Sequence, residues 1–329
     1  MLEIEPRKYN NYNNFNGNII VNVLHYWNRE YLLNFLASFK FYYSFYTKKG
    51  TINYSKLSKN ILNFTGEDLK MASWIRSKYL GITMKNVKYN SIDQLVNVFN
   101  NEFCKSNPIG IGMDSYYLPW NKLYLDLHRI HFFLLTGYNP KMGLLYCIDG
   151  YLSKKVETLD ILEIYNNAEK IIQIINTEEC KYLSKNNVIQ IIFKVLFAKT
   201  DTANRRSLKW FANDLALLKD NETCMKLIEN VDKSNFIFNI GNIELARYNF
   251  ASALKFIDDK YSMNIFYEVY NDIISIGKAW RNIKYILIQG GLLKKSNCFE
   301  EVSNVLYEIA GKEELILQEL LGICVTFSD

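Results

Sequence analysis

Proline is scarce and one-sided in this 329-residue chain: Pro6, Pro108, Pro119 and Pro140 are all it has, and positions 141–329 contain none. Proline breaks helices, so its absence invites a helical reading of the second half and places a domain boundary near Gly150. Histidine is scarcer, with only His25, His128 and His131. Six cysteines, Cys104, Cys147, Cys180, Cys224, Cys298 and Cys324, stand far apart without a CxxC pair, which argues against a disulfide framework or a cysteine zinc site and suits a reducing cytoplasm. No run approaches 18 apolar residues, and the opening MLEIEPRKYNNYNNFNGN has no apolar core of a secretion signal. Neither a membrane span nor a signal peptide is expected. Blocks of one charge are missing too. Lys plus Arg number 39 against 34 Asp plus Glu, a dispersed excess of +5, so nucleic acid is not an expected partner.

What is present is an ordinary globular composition, 49% hydrophobic and 22% charged, in a chain long enough for two cores. Segments 18–29, 67–82 and 91–103 carry helical spacing, while 108–114, 131–138 and 144–149 read as strands. Helices followed by an antiparallel sheet make an α+β order. Beyond Gly150, segments 242–261, 263–289 and 299–321 repeat apolar residues at three- and four-residue intervals, as amphipathic helices do. Gly290-Gly291 reads as a break between two of them, with Ser296 or Asn297 as the next cap. The expected domains are 1–150 and 151–329.

The chemistry concentrates in 108–150, PIGIGMDSYYLPWNKLYLDLHRIHFFLLTGYNPKMGLLYCIDG. His131 opens one apolar strand, Asp149 closes the next, and Asn139-Pro140 with Gly143 marks the turn between them, so a hairpin brings the two together. A neutral imidazole accepts a proton near pH 7, and a carboxylate on its other nitrogen fixes the tautomer and stabilises the imidazolium. A histidine opening an apolar strand is, equally, a common structural residue. Asp114 reads either as a turn former or as a carboxylate for a cationic amine. Tyr116, Tyr117 and Trp120 are candidates to line a substrate pocket; aromatic residues at this density are more often core, and of the three Tyr116 and Tyr117 are kept as substrate-binding. His128, His131 and Asp114 are sensible metal ligand types, but their spacing matches no zinc pattern, and no cofactor or metal is expected.

Pro108, the run Met113 to Pro119, the pair His128 and His131, Thr136-Gly137-Tyr138 and Ile148-Asp149-Gly150 resemble the N-terminal domain of the butirosin-biosynthesis acyltransferase family. That domain is papain-like and related to bacteriocin-processing cysteine peptidases. Tyr270 to Trp280 and Ala310 to Glu313 are similar to the family's helical C-terminal domain. The resemblance implies a papain-like fold followed by an all-helical domain, and transfer of an acyl or aminoacyl group from a carrier-protein thioester to an amine in specialised-metabolite assembly. The implied partners are an acyl or peptidyl carrier protein, whose phosphopantetheine holds the substrate, and a small amine acceptor. A homodimer is left open. His131 becomes the general base, Asp149 its orienting carboxylate, and His128 a contact to the thioester or a support.

The family's nucleophile is a cysteine at the start of the first helix, where the helix end favours thiolate. Here the matching stretch is Asn14 to Asn18, with no Cys, Ser or Thr, and Cys104 lies on a different element. Two readings follow. In one, His131 deprotonates the amine directly, and backbone N–H groups near Gly17 with Asn16 and Asn18 stabilise the oxyanion. In the other, the fold is a catalytically inactive module that binds a carrier protein or pathway intermediate. The enzymatic reading requires the dyad to face a cleft that admits a pantetheine arm.

Overall fold

The computed structural model describes residues 1–6, 15–43, 47–48, 51–52, 61–62, 66–177, 183–197, 201–218 and 222–327. Most of the asparagine-rich 9–18 tract and Cys180 lie outside these, as do the side chains of residues 15–18. Two compact units are present, one made of 1–34 and 73–182, the other of 35–72 and 183–329.

In the first unit, α1 (Phe15–Tyr26) comes first; α2 (Gly66–Ile75), most of which counts with the second unit, brings the chain back to it and ends in a π turn over Arg76–Leu80. The turn stops at Gly81, which supplies the left-handed φ of 64°. Arg29 ties this corner together by donating to the carbonyls of Leu80 at 3.2 Å and Gly81 at 2.8 Å. Strand β1 (Ile82–Asn86) and α3 (Ile92–Cys104) follow, the helix capped by Ser91 Oγ, which accepts from the Gln94 N–H. Then come β2 (Ile109–Asp114), β3 (Ile130–Asn139), β4 (Leu144–Ile148), β5 (Val156–Asp160), α4 (Ile161–Asn167) and β6 (Ala168–Asn176). The six strands form one antiparallel sheet in the order β1-β6-β2-β3-β4-β5. This is the α+β class.

The register decides what each face holds. Met113 lies opposite His131, Ile111 opposite Phe133 and Ile109 opposite Leu135, and strand alternation sends these six to one side. There Leu95 and Phe99 of α3 and Ile161 and Ile164 of α4 join them in one core. The other side carries Gly110, Gly112, Phe132 and Leu134. Gly112 is small because a Cβ would stand 2.7 Å from the Phe132 ring. Helix α1 runs beside β3, but its buried Ile19, Ile20, Val23 and Leu24 do not belong to the α3 core. Arg29, just after α1, donates to Asn176 Oδ1 at 2.7 Å, and Asn176 alternates with Ile172, the partner of Gly110. Helix α1 therefore covers the second face.

Two of the six strands, β5 and β6, lie beyond Gly150, so the first unit runs to Tyr182, and 35–72 belongs to the second. That second unit contains α5 (Lys185–Phe197), α6 (Asp201–Ala216), the short α7 (Glu222–Met225), α8 (Asn235–Tyr261), α9 (Tyr267–Leu293) and α10 (Cys298–Thr326). Helix α8 packs on α9, α9 on α10 and α10 on α6. The Gly290-Gly291 pair does not break α9; the chain turns at Lys294, whose φ is 53°. Both glycines instead permit close packing, since a Cβ at Gly290 would collide with the Cys298 side chain and one at Gly291 with the Ile228 carbonyl. Asn297 occupies the cap position of α10 without a side-chain capping bond.

Candidate functional site

His131 and Asp149 meet. His131 Nε2 lies 2.6 Å from Asp149 Oδ2. Strand β3 sets the imidazole at its start, and Asp149 follows directly on β4. Asp149 Oδ2 also accepts from Trp120 Nε1 at 2.9 Å, while Oδ1 accepts from the Tyr151 and Leu152 N–H groups, both at 3.2 Å. Burial pushes this carboxyl up, but the His131 bond and charge, the Trp120 N–H and the Leu152 N–H outweigh it and hold Asp149 below the ordinary carboxylate range. Asp149 is thus an ionised acceptor, so Nε2 of His131 carries the donated proton.

Access differs from the expectation of a cleft. His131 is 1% exposed and Asp149 0%. Their face of the sheet is filled by the α3 core, and Leu118 with Tyr117 and Trp120, from the connection between β2 and β3, packs onto it. Trp120 stands edge-on to Phe133 with ring centroids 5.5 Å apart.

A second pair sits on that connection and is open to solvent. His128 Nδ1 lies 2.6 Å from Asp114 Oδ2, and the Tyr116 ring stacks on the imidazole at 4.5 Å. The His128 side chain is 66% exposed. Asp114 Oδ1 accepts from the Tyr116 and Arg129 N–H groups, each at 3.0 Å. Burial acts upward on this carboxyl too, and the Tyr116, His128 and Arg129 contacts together bring it below its usual value. Asp114 caps Ser115–Tyr117, with both oxygens engaged inside the loop. Tyr117 turns inward against the sheet core and meets Tyr116 edge-on at 5.2 Å.

Asn16 and Asn18 begin α1, and their side chains lie outside the described residues. The body of α1 packs on the face of the sheet opposite the dyad. Cys104 ends α3 near Glu102, which accepts from Gln173 opposite Ile109; His131 belongs to the other end of that register. Cys147 does share the dyad's face, but burial first, then the negative charge of Asp149 and Glu157, push its thiol well up. It is a protonated core residue. Among the described residues, no group of three or more His, Cys, Asp or Glu could hold a metal ion, and no helix is long and apolar enough to cross a membrane.

What sequence reasoning missed is that Trp120 donates to Asp149. Its signal was available: an indole N–H inside an otherwise apolar stretch needs an acceptor when buried, and Asp149 is the acceptor that the hairpin brings near. No family model matches the sequence, and no curated protein is significantly similar to it.

Proposed function

We propose that the sheet unit is a papain-like module of the acyltransferase type that holds an acyl carrier or a pathway intermediate without turning it over. The supporting observation is that the His131–Asp149 dyad is closed off, at 1% and 0% exposure. A base must come within hydrogen-bond reach of the proton it removes, and this one is spent internally. It joins β3, β4 and the Trp120 connection through charge-assisted bonds. The absence of Cys, Ser and Thr from 14–18 and the protonated state of Cys147 point the same way. The exposed His128, stacked on Tyr116, offers a partner an aromatic and hydrogen-bonding surface.

Transfer from a carrier thioester to an amine, with His131 as base, is the second reading, favoured by the 2.6 Å contact and the ionised Asp149. Calorimetric titration with acetyl-pantetheine, followed by intact-mass measurement, separates the two. The binding reading predicts saturable association, equal in His131→Ala, with the protein mass unchanged. A stable acyl adduct on any side chain, or no association at all, contradicts it.

A further inference from the structure

Trp120 Nε1 and His131 Nε2 share one oxygen, Asp149 Oδ2. The indole belongs to a connection that is organised around itself. Its ends are clasped where Ser115 N donates to the Arg129 carbonyl at 2.7 Å and where Asp114 receives Tyr116, Arg129 and His128. Inside, Asn121 Nδ2 donates to Ser115 Oγ at 3.1 Å, Leu125 N to the Tyr116 carbonyl at 3.0 Å, and Tyr124 N to the Asn121 carbonyl at 2.9 Å. Leu125 is held in the left-handed region at φ 55° while 60% exposed, a conformation that leucine adopts only when surrounding bonds impose it. Compact loops of this kind, with ends together and their own internal packing, are frequently functional.

We infer that the 114–129 connection is a lid over the dyad and that Trp120 is its plug, occupying a hydrogen-bond donor site on Asp149. Opening hinges at the Asp114–Arg129 clasp, because the bonds inside the loop travel with it, while the Trp120–Asp149 bond and the packing of Leu118 and Tyr117 on the sheet core must part. Whatever replaces the indole must bring an N–H or O–H of its own. A buried carboxylate oxygen deprived of a donor loses a charge-assisted bond and gains no solvent in return. The site is selective for a flat group with a donor edge, and it refuses an isosteric acceptor.

The test uses the full chain. Trp120→Phe keeps an aromatic ring beside Phe133, removes the N–H and leaves a smaller ring in the place of the indole. The low-field imidazole N–H proton resonance of His131 should move in this variant, and diethyl pyrocarbonate should modify His131, located by mass spectrometry, several-fold faster than in the parent. His128 should react alike in both. Trp120→Ala opens an indole-shaped space, where indole should bind about tenfold or more tighter than benzofuran, which has the same outline and no N–H. An unchanged His131 signal and reactivity in Trp120→Phe overturns the lid, as does equal binding of indole and benzofuran. Should Trp120→Ala not fold, the Trp120→Phe comparison decides. These readouts need no thioester, so the lid and the proposed function fail separately.

Discussion

Asp149 accepts four described donors, from His131, Trp120, Tyr151 and Leu152, and each is worth more to the ionised form than to the neutral one. With its pKa lowered on folding, the group contributes stability above its unfolded value of about 3.9 and loses it as the pH falls through the lower folded value. Asp149→Asn should cost about 1–3 kcal/mol at pH 7, and urea unfolding should show the gap to the parent closing below pH 4. A gap that widens in acid would mean the carboxyl is buried neutral. Residue-level legibility was good for this dyad, because a turn signal between two apolar runs fixes which residues become neighbours. It failed for Trp120 and for access, since solvent exclusion depends on side chains from three separate elements. Arg247 is a different case. It is fully buried, donates to Glu313 at 2.9 and 2.8 Å, and lies over the Phe39 and Trp280 rings. Burial lifts the Glu313 carboxyl even against the charge of Arg247. Arg247→Ala should therefore cost about 3–5 kcal/mol, while replacing both partners with apolar residues should return most of it, as measured by urea unfolding of each variant.

At the scale of elements, two glycines on long helices make opposite predictions. Gly291→Ala forces a methyl against the Ile228 carbonyl and should destabilise by about 1–3 kcal/mol. Gly311, on α10, has open space where a Cβ would stand, so Gly311→Ala should stabilise by about 0.5–1 kcal/mol. Thermal unfolding of the two variants checks both signs. The same elements show why part of the sheet escaped a reading by pattern. Strands β2, β3 and β4 are nearly continuous apolar runs bounded by Pro, Gly and Asn, and they were legible. Strand β5 is an edge strand with Leu159 its one buried position, too little for an alternating signal. Strand β6, AEKIIQIIN, places its isoleucines in pairs three residues apart, a spacing that a helix satisfies as well. Strand β1 was not read: the helical segment 67–82 takes in its first residue, Ile82, because the π turn at 76–80 continues the apolar spacing.

For the whole molecule, the described residues of the proline-free half first complete the sheet with β5, α4 and β6, and helices follow from Lys185 onward. Composition records what a segment cannot tolerate, and strands need proline no more than helices do. The folded chain brings together a His–Asp pair that resembles catalytic apparatus and then encloses it, with helix α1 on the far face of the sheet. The proposed holding role turns on that enclosure. The most direct test mixes acetyl-pantetheine and propylamine with the parent and with His131→Ala, and follows release of the free thiol. A holding module predicts equal release in both, at the rate of the uncatalysed reaction. Faster release that depends on His131 would show that the dyad works as a base and would contradict the account.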